Sequence, residues 1–325
     1  MEKQLYRNLG LDLARATEAA AIQAGRWMGL DKPEEADLDA SRAMARVLHA
    51  LEIDGTIIVG EEKKVGHPSI LDSGERIGTG RGPAMDVVVD AIDGTLLLAK
   101  GHPDAIAVAG AAPKGSMWHP YPAVYMEKIV VDREVAASLV PECLDAPAAW
   151  TLALIGRLKD KAVRDLVVFI LDRPRHRDLI EEIRSAGARV LAREEGDIAG
   201  ALMAASVKVN VDVLMGIGGV SEGTIAACAI KSLGGAMLGR LAPQSDEERE
   251  AVQKAGLDRK HIFSAEEMVS GEQVFFAATG ITDGVLLSGV RYRKDQAQTE
   301  SLVLRCETGS HRVIVADQKV SNAVS

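Results

Sequence analysis

Apolar and polar residues follow a helical period at the start of the chain and a strand-like one soon after. Residues 3–28 are rich in Ala and Leu and contain few helix breakers, so they predict one long N-terminal helix. Residues 39–51 repeat apolar side chains at helical spacing and predict a second helix. Short apolar runs then predict strands separated by glycine-rich turns, at residues 55–60, 86–90 and 105–112. The first part of the chain is therefore expected to be α+β.

The pattern changes after residues 132–147, which contain two prolines, show little periodicity and predict a linker. From residue 165 onward, strand-like runs alternate with helical ones, as expected for βαβ units around a parallel sheet. Residues 244–267 are polar and predict an exposed helix, and the last 55 residues are again strand-like. We predict an α+β domain over residues 1–145 and an α/β domain over residues 146–325. The pattern does not decide whether the C-terminal strands return to the first domain.

Composition narrows the class of protein. With 47% hydrophobic and 26% charged residues, the chain is typical of a globular protein. Its net charge of −9 argues against a nucleic-acid or anionic-membrane binder, but is compatible with a local basic pocket for a phosphorylated metabolite. No apolar stretch reaches the roughly 18–20 residues of a membrane span, and the charged N-terminus lacks the apolar segment of a signal peptide. We therefore expect a cytoplasmic protein with neither a nucleic-acid nor a membrane partner.

Two acids at the end of a predicted strand are the strongest chemical signal. Asp90 closes the apolar run of residues 86–90, where a carboxylate is costly to bury, and Asp93 follows three residues later. Gly94 permits a sharp turn, and Thr95 supplies a hydroxyl where the next element begins. Two carboxylates so close raise each other's pKa unless a cation neutralises them, and Mg²⁺ or Mn²⁺ binds through carboxylate oxygens. This stretch therefore favours a metal site over a helix cap.

Three loops of the second half lie at the carboxyl ends of predicted strands. Ligands of α/β sheets bind at these strand ends. Arg173 and Arg175 suit a phosphate group, because the guanidinium binds oxyanions through two hydrogen bonds. The acids of the neighbouring loops suit sugar hydroxyls or a divalent cation, so the three together indicate a phosphorylated polyol. The loops span residues 172–176, 193–197 and 216–223.

Each of these loops has a simpler explanation when it is taken alone. The arginines fit a solvated turn, Asp197 fits a helix cap, and Glu222 fits a residue that complements a helix dipole. Likewise, Glu61 follows a short strand as many loop acids do, and Asp37 fits a helix N-cap. The functional interpretation therefore depends on the loops acting together.

A family resemblance joins these segments. The stretch DAIDGT (residues 90–95) resembles the D-P-[IL]-D-G-[TS] signature of the metal-dependent, lithium-sensitive sugar and inositol phosphatases. Further segments resemble the class II fructose-1,6-bisphosphatases in family order, from about residue 9 to about residue 315. These are EIDGTIIVGEE (52–62), IGTGRG (77–82), YMEK (125–128), PRH (174–176), EGD (195–197), GIGGVSEG (216–223), GRL (239–241) and ATGITDG (278–284).

The resemblance implies a layered αβαβα sugar-phosphatase fold, in which two sheets have helices between and around them. It implies a metal-binding first domain, a substrate-binding second domain, a phosphorylated sugar as substrate and a homo-oligomer. The implied ligands of Mg²⁺ or Mn²⁺ are Asp37, Glu61, Asp90, Asp93 and Glu222. The implied substrate contacts are Asp93, Gly94, Thr95, Tyr125, Arg173, Pro174, Arg175, Glu195, Gly196, Asp197 and Gly219. Thr95, with Asp37 or Glu61, is implied to orient the attacking water.

The chain departs from the family pattern at several of these positions. Ala91 stands where the signature has proline, and Asp93 stands where class II enzymes often have Glu. Lys63 and Lys64 replace acids beside Glu61. The changes leave the metal chemistry in place and bear mainly on the identity of the substrate.

We therefore expect a metal-dependent phosphatase that converts fructose-1,6-bisphosphate to fructose 6-phosphate and phosphate, as in gluconeogenesis. One alternative is the same chemistry on sedoheptulose-1,7-bisphosphate, an inositol phosphate or another phosphorylated metabolite. Another is a catalytically weak paralogue that binds a sugar phosphate. A nucleotide-binding oxidoreductase ranks behind these, because the chain lacks the glycine fingerprint of a dinucleotide site.

Overall fold

The computed structural model describes residues 8–61 and 69–320. Its α-helices in these ranges are α1 (Leu9–Ala24), α2 (Pro33–Leu48), α3 (Thr95–Ala99), α4 (Ala148–Leu158), α5 (Arg177–Ser185), α6 (Asp197–Ala205), α7 (Val220–Leu233), α8 (Asp246–Lys254) and α9 (Ala265–Met268). The strands of the first half are β1 (Asp54–Val59), β2 (Arg76–Ile77), β3 (Ala84–Asp93), β4 (Ile106–Pro113), β5 (Tyr125–Val131), β6 (Val167–Leu171) and β7 (Arg189–Arg193). The later strands are β8 (Val213–Gly219), β9 (Ala236–Leu241), β10 (Phe263–Ser264), β11 (Phe275–Gly280), β12 (Arg291–Arg293), β13 (Gln296–Arg305) and β14 (Ser310–Lys319). None of the described helices has both the length and the apolar character needed to cross a membrane.

The chain divides into two compact units. Unit 1 comprises Met1–Gly115 and Glu272–Ser325, and unit 2 comprises Ser116–Gly271. Each unit contains one mixed sheet with helices packed on it. The two sheets confirm the predicted combination of α+β and α/β structure.

Unit 1 is built on an eight-stranded sheet with the order β12-β13-β11-β4-β3-β1-β2, and β14 pairs with β13. Its C-terminal strands join the N-terminal ones because β11 pairs antiparallel with β4. Helices α1 and α2 pack against this sheet. Side chains of α1, α2, β1, β3 and β4 form one buried core of small and branched residues, as a chain with 3% aromatic residues requires.

Unit 2 is built on a six-stranded sheet with the order β10-β9-β5-β8-β6-β7. The prediction of parallel strands holds for β6, β7 and β8, which pair in parallel. It does not hold for β5, which lies between β8 and β9 and pairs antiparallel with both. The reason is that the α7 crossover from β8 to β9 skips one position in the sheet, and β5 fills it.

Helices cover both faces of the unit 2 sheet. Helices α4 and α5 contribute to a core with one set of alternating strand residues. Helices α6 and α7 pack on the opposite face, where a Cβ on Gly200 of α6 would lie 2.2 Å from the Phe169 ring of β6. The predicted linker at residues 132–147 contains two short 3₁₀ turns and lies inside unit 2.

Candidate active site

Three predicted site acids of unit 1 lie at one edge of its sheet, which we call the acidic edge (Glu61, Asp90, Asp93, Gly94 and Thr95). Strands β1 and β3 are parallel, so their carboxyl ends meet at this edge. Asp90 and Asp93 belong to the end of β3, and Glu61 follows the end of β1 by two residues. All three carboxylates are buried, with relative exposures of 5%, 5% and 1%.

A β-bulge separates Asp90 from Asp93. Asp90 pairs with Val108 of β4 and Asp93 pairs with Ile106. Between these two pairs, β3 therefore contains one residue more than β4. Such a bulge changes the direction of the side chains that follow it. Because a strand otherwise points residues three apart to opposite faces, the bulge lets the two acids face a common region.

The bulge also brings the backbone of β3 to the carboxylate after β1. The Ala91 N–H donates to Glu61 Oε1 at 2.6 Å, and the Ile92 N–H donates to Asp90 Oδ1 at 3.0 Å. Both carboxylates are thus held by main-chain donors at the point where the strand gives way to a turn.

Gly94 and Thr95 form the turn that follows. Gly94 has φ +95°, a left-handed conformation that glycine adopts without a steric penalty. Thr95 is the first residue of α3, and its hydroxyl donates to the Ile92 carbonyl at 3.2 Å. Thr95 as a whole is half-buried.

Asp37, the fourth predicted acid of unit 1, lies in α2 rather than at its N-cap. Helix α2 begins at Pro33 with Lys32 as N-cap, so Asp37 belongs to the second turn. Its side chain is 3% exposed, and α2 packs against β3 and α3. The alternative explanation of Asp37 as a helix cap is therefore wrong.

The chemistry of these donors fits a hard divalent cation, because all of them are carboxylates. Within residues 8–61 and 69–320, however, no group of three or more His, Cys, Asp or Glu side chains lies in a metal-holding arrangement. The replacements Lys63 and Lys64 lie outside the described residues. The assignment of metal ligands stays a prediction.

The predicted substrate residues of unit 2 lie at one edge of its own sheet, which we call the arginine edge. The carboxyl ends of the parallel strands β6, β7 and β8 meet there, and the antiparallel β5 begins there because Tyr125 pairs with Gly219. The residues placed there by strand ends and the loops directly after them are Tyr125, Arg173, Pro174, Arg175, Glu195, Gly196, Asp197 and Gly219. Glu222 lies in the first turn of α7, next along the chain.

Arg175 is fixed by two contacts at the arginine edge. Its Nε and Nη2 donate to the Ile217 carbonyl at 3.2 and 2.9 Å, and its guanidinium carbon lies 5.1 Å from the centre of the Tyr125 ring. Arg173 is partly exposed, and its Nη2 lies 3.9 Å from Glu195 Oε1, a loose ion pair. The edge thus offers two guanidinium groups to an anionic ligand, and Arg175 is held by the more contacts of the two.

His176, which follows the two arginines, ties the loop after β6 to β8. Its Nε2 accepts from the Ile217 N–H at 2.8 Å, so Nδ1 carries the proton and donates to the Leu171 carbonyl at 2.6 Å. Burial lowers the pKa of His176 below its ordinary value, which favours this neutral form. The histidine is a structural residue that positions Arg175.

Two glycines bring predicted functional carboxylates close to the backbone of β8. A Cβ on Gly218 would lie 1.9 Å from Asp197 Oδ2, and a Cβ on Gly219 would lie 1.7 Å from Glu222 Oε2. Glycine at both positions therefore allows Asp197 and Glu222 to approach this strand end.

Lys128 is a residue of this edge that the sequence interpretation missed. It lies within β5, is 1% exposed and forms a buried ion pair with Asp197. The signal in the sequence is the adjacent charged pair Glu127 and Lys128 at the start of a strand-like run that continues with three apolar residues.

Comparison of the sequence with known proteins identifies the class of enzyme that this chain resembles. A family model described as bacterial fructose-1,6-bisphosphatase, glpX-encoded, matches residues 7–318. A class 2 fructose-1,6-bisphosphatase from Haemophilus influenzae is 35% identical over 95% of this chain and 96% of its own length. A protein from Synechococcus sp. (strain JA-3-3Ab), named D-fructose 1,6-bisphosphatase class 2/sedoheptulose 1,7-bisphosphatase, is 36% identical over 94% of both chains.

The family and the relatives are phosphatases, enzymes that hydrolyse phosphate esters. The chain belongs to the glpX-type fructose-1,6-bisphosphatase family, because the family model covers nearly its whole length.

Proposed function

We propose that this enzyme hydrolyses fructose-1,6-bisphosphate to fructose 6-phosphate and inorganic phosphate, a reaction of gluconeogenesis. The observation that carries the proposal is the family match over residues 7–318, which includes every residue of the acidic and arginine edges. We further propose that it belongs to the lithium-sensitive phosphatases, acts in the cytoplasm and forms a homo-oligomer.

Membership of this family implies dependence on a divalent metal, and we assign Mg²⁺ or Mn²⁺. The residues that would hold the metal are Asp37, Glu61, Asp90, Asp93 and Glu222. Their carboxylate oxygens and their burial support the assignment. When bound, the cation supplies Lewis-acid chemistry: it offsets the charge that develops on the phosphoryl oxygens and makes water a stronger nucleophile.

The residues of unit 1 act at the phosphate that is cleaved. Thr95 lies at the first position of α3 and, with Asp37 or Glu61, orients the water for in-line attack. The backbone of Gly94 and Thr95 approaches the phosphate closely, since glycine places no side chain there. Phosphoryl transfer of this kind requires mainly positioning and charge compensation.

The residues of unit 2 hold the rest of the substrate. Arg175, fixed against Ile217 and Tyr125, binds the second phosphate together with Arg173. The carboxylates of Glu195 and Asp197 accept hydrogen bonds from sugar hydroxyls. Pro174, Gly196 and Gly219 shape the backbone that carries these groups.

A second candidate substrate is sedoheptulose-1,7-bisphosphate. The Synechococcus relatives are named as enzymes for both bisphosphates, and they are as similar to this chain as the Haemophilus relative. A longer sugar keeps both phosphates, so the same arginines and acids serve it.

Phosphate release from a panel of substrates tests the proposed function. We expect turnover of fructose-1,6-bisphosphate in the presence of Mg²⁺ or Mn²⁺, its loss with EDTA, and a reduction of about 10²- to 10³-fold in Asp90→Asn, by analogy with the loss of other transition-state stabilising groups. The matched control is Asp86→Asn, which removes another buried acid four residues earlier in β3 and is expected to retain turnover. The panel includes sedoheptulose-1,7-bisphosphate and inositol phosphates.

The outcomes separate the candidates. Preference for another member of the panel would keep the mechanism and change the substrate. Binding without release would favour the catalytically weak paralogue. Undiminished, metal-independent release by Asp90→Asn would contradict the role of the acidic edge.

A further inference from the structure

A lysine is buried in the centre of the unit 2 sheet. Lys128 is 1% exposed and lies in β5 between Gly216 of β8 and Gly239 of β9, its partners in the register. Burying an ammonium group is strongly unfavourable unless the charge is paired and its donors are satisfied. The position of this lysine therefore requires an explanation beyond packing.

The ammonium group of Lys128 joins two loops of the arginine edge. It donates to Asp197 Oδ2, at the start of α6, and to the Gly219 carbonyl, at the end of β8, at 3.3 Å. Asp197 and Gly219 both belong to the predicted substrate contacts, and they follow different strands. One side chain thus connects two parts of the edge that the sequence places more than twenty residues apart.

The two oxygens of Asp197 have different surroundings. Within the described residues, the ion pair and the side-chain hydrogen bond of Asp197 both involve Oδ2. Oδ1 takes part in neither contact, and a carboxylate oxygen can accept a hydrogen bond from a ligand. The lysine therefore fixes the carboxylate by one oxygen and presents the other.

A second cluster of lysine–aspartate ion pairs lies beside the same sheet and serves as a comparison for the pair of Lys128 and Asp197. Lys159 contacts Asp132 Oδ2 at 2.5 Å and Asp212 Oδ1 at 3.0 Å, and Lys161 contacts Asp212 Oδ1 at 2.7 Å. The remaining oxygens accept main-chain hydrogen bonds, Asp132 Oδ1 from the Glu134 N–H and Asp212 Oδ2 from the Val167 N–H.

This cluster also lies at the other end of the strands. Asp132 follows the last residue of β5 and Asp212 precedes the first residue of β8, whereas Tyr125 and Gly219 mark the arginine edge. Both its carboxylates use both oxygens within the protein, in contrast with Asp197.

We propose that Lys128 is a positioning residue for substrate binding: it holds Asp197 and the Gly219 carbonyl in place, so that Asp197 Oδ1 accepts a hydrogen bond from a hydroxyl of the sugar phosphate. The inference rests on the proposed function, because that function supplies the sugar. It adds a residue that acts through Asp197 and does not itself contact the substrate.

Steady-state kinetics of two lysine variants test the inference. Lys128→Met keeps the apolar stem and removes the charge, and we expect KM for fructose-1,6-bisphosphate to rise about ten-fold or more, with a smaller change in kcat. The matched control is Lys159→Met, which breaks a buried lysine–aspartate pair at the opposite end of the strands. We expect it to lower Tm and leave KM unchanged. An unchanged KM in Lys128→Met, or an equal change in both variants, would overturn the inference.

A double-mutant cycle with Asp197→Asn separates positioning from general stability. If Lys128 acts through Asp197, then Lys128→Met adds little to the KM of the Asp197→Asn enzyme. Additive effects on KM would contradict the inference. The double variant also buries no unpaired charge, so it serves if Lys128→Met alone fails to fold.

A measurement of ligand binding that does not depend on turnover distinguishes failure of the inference from failure of the proposed function. If the wild-type enzyme releases no phosphate, the proposed reaction is wrong, and calorimetric titration with fructose 6-phosphate then decides the role of Lys128. A Kd raised in Lys128→Met but not in Lys159→Met would support it. Equal Kd values, or no binding by the wild-type protein, would refute it.

Discussion

Single main-chain groups determine how the acids of the acidic edge are held. The Ala91 N–H reaches Glu61 Oε1 at 2.6 Å, and both residues are almost fully buried. A charged acceptor makes such a hydrogen bond stronger than one between neutral groups. Proline, which stands at this place in the signature that residues 90–95 resemble, has no N–H to donate.

Replacing Ala91 by proline tests whether this donor matters. Ala91→Pro removes the N–H, and we expect the Kd for Mn²⁺ to rise about ten-fold, because a hydrogen bond to a charged group is worth ~1.5–3 kcal/mol. Calorimetric titration of the substrate-free enzyme measures the change. The control is Ala91→Gly, which keeps the N–H; equal affinities in the two variants would show that the donor does not position Glu61 for the metal.

At the scale of elements, helix α1 is joined to the C-terminal strands by a buried polar chain. The Thr17 and Thr279 hydroxyls lie 2.7 Å apart, and Thr279 and Ser301 lie 2.8 Å apart. Glu18 accepts from Ser301 Oγ at 3.4 Å and from Gln318 Nε2 at 2.6 Å. These hydrogen bonds connect α1 with β11, β13 and β14. They therefore join the N-terminal helix of unit 1 to its C-terminal strands.

Burial raises the pKa of Glu18 above its ordinary value of 4.5, although the hydrogen bonds from Gln318 and Ser301 oppose the shift. A carboxyl group with a raised pKa in the folded state binds its proton more tightly there than in the unfolded chain. The ionised group therefore costs stability at neutral pH, and the cost disappears as the pH falls below the unfolded value.

Glu18→Gln is thus expected to increase the free energy of unfolding at pH 7, with the gain lost below about pH 4.5. Urea denaturation of the variant and the wild-type protein at pH 7 and pH 4 measures the difference. Glu34→Gln, which removes an exposed acid of α2, controls for the change in net charge. A gain that persists unchanged at pH 4 would mean that ionisation of Glu18 is not its cause.

At the scale of the whole molecule, unit 2 is one continuous segment inserted into unit 1. The ends of the segment lie side by side: Met117 and Val269 form a β-bridge, and the Ser270 N–H donates to the Ser116 carbonyl at 2.8 Å. The six-stranded sheet and its helices come entirely from Ser116–Gly271. Unit 1, by contrast, needs β11 from the C-terminal part of the chain to pair with β4.

We therefore expect residues 116–271 to fold when expressed alone, with a cooperative urea transition and dispersed amide resonances. Residues 1–115, which lack four strands of their sheet, are expected to remain unfolded under the same conditions. An unfolded 116–271 segment would show that unit 2 depends on unit 1 for its stability.

Local signals in the sequence were sufficient where structure depends on neighbours along the chain. Periodicity predicted a helix that contains α1, a helix that overlaps α2, and the alternation of strands and helices in unit 2. The pair Asp90 and Asp93 was recognisable because charge at the end of an apolar strand is rare unless it has a use. The exposed helix predicted over residues 244–267 is instead α8, β10 and α9, because that stretch contains a strand that only β9 can stabilise.

The sequence by itself determined the composition of the core, the candidate residues and the family, since these are written in residue types and their spacing. Only the tertiary structure decided that β5 runs antiparallel between β8 and β9, and that the C-terminal strands join β4. It alone placed Lys128 against Asp197, and Ala91 against Glu61. The physical reason is that strand pairing and buried charge pairs are chosen among distant parts of the chain, by hydrogen bonds and burial that no local pattern records.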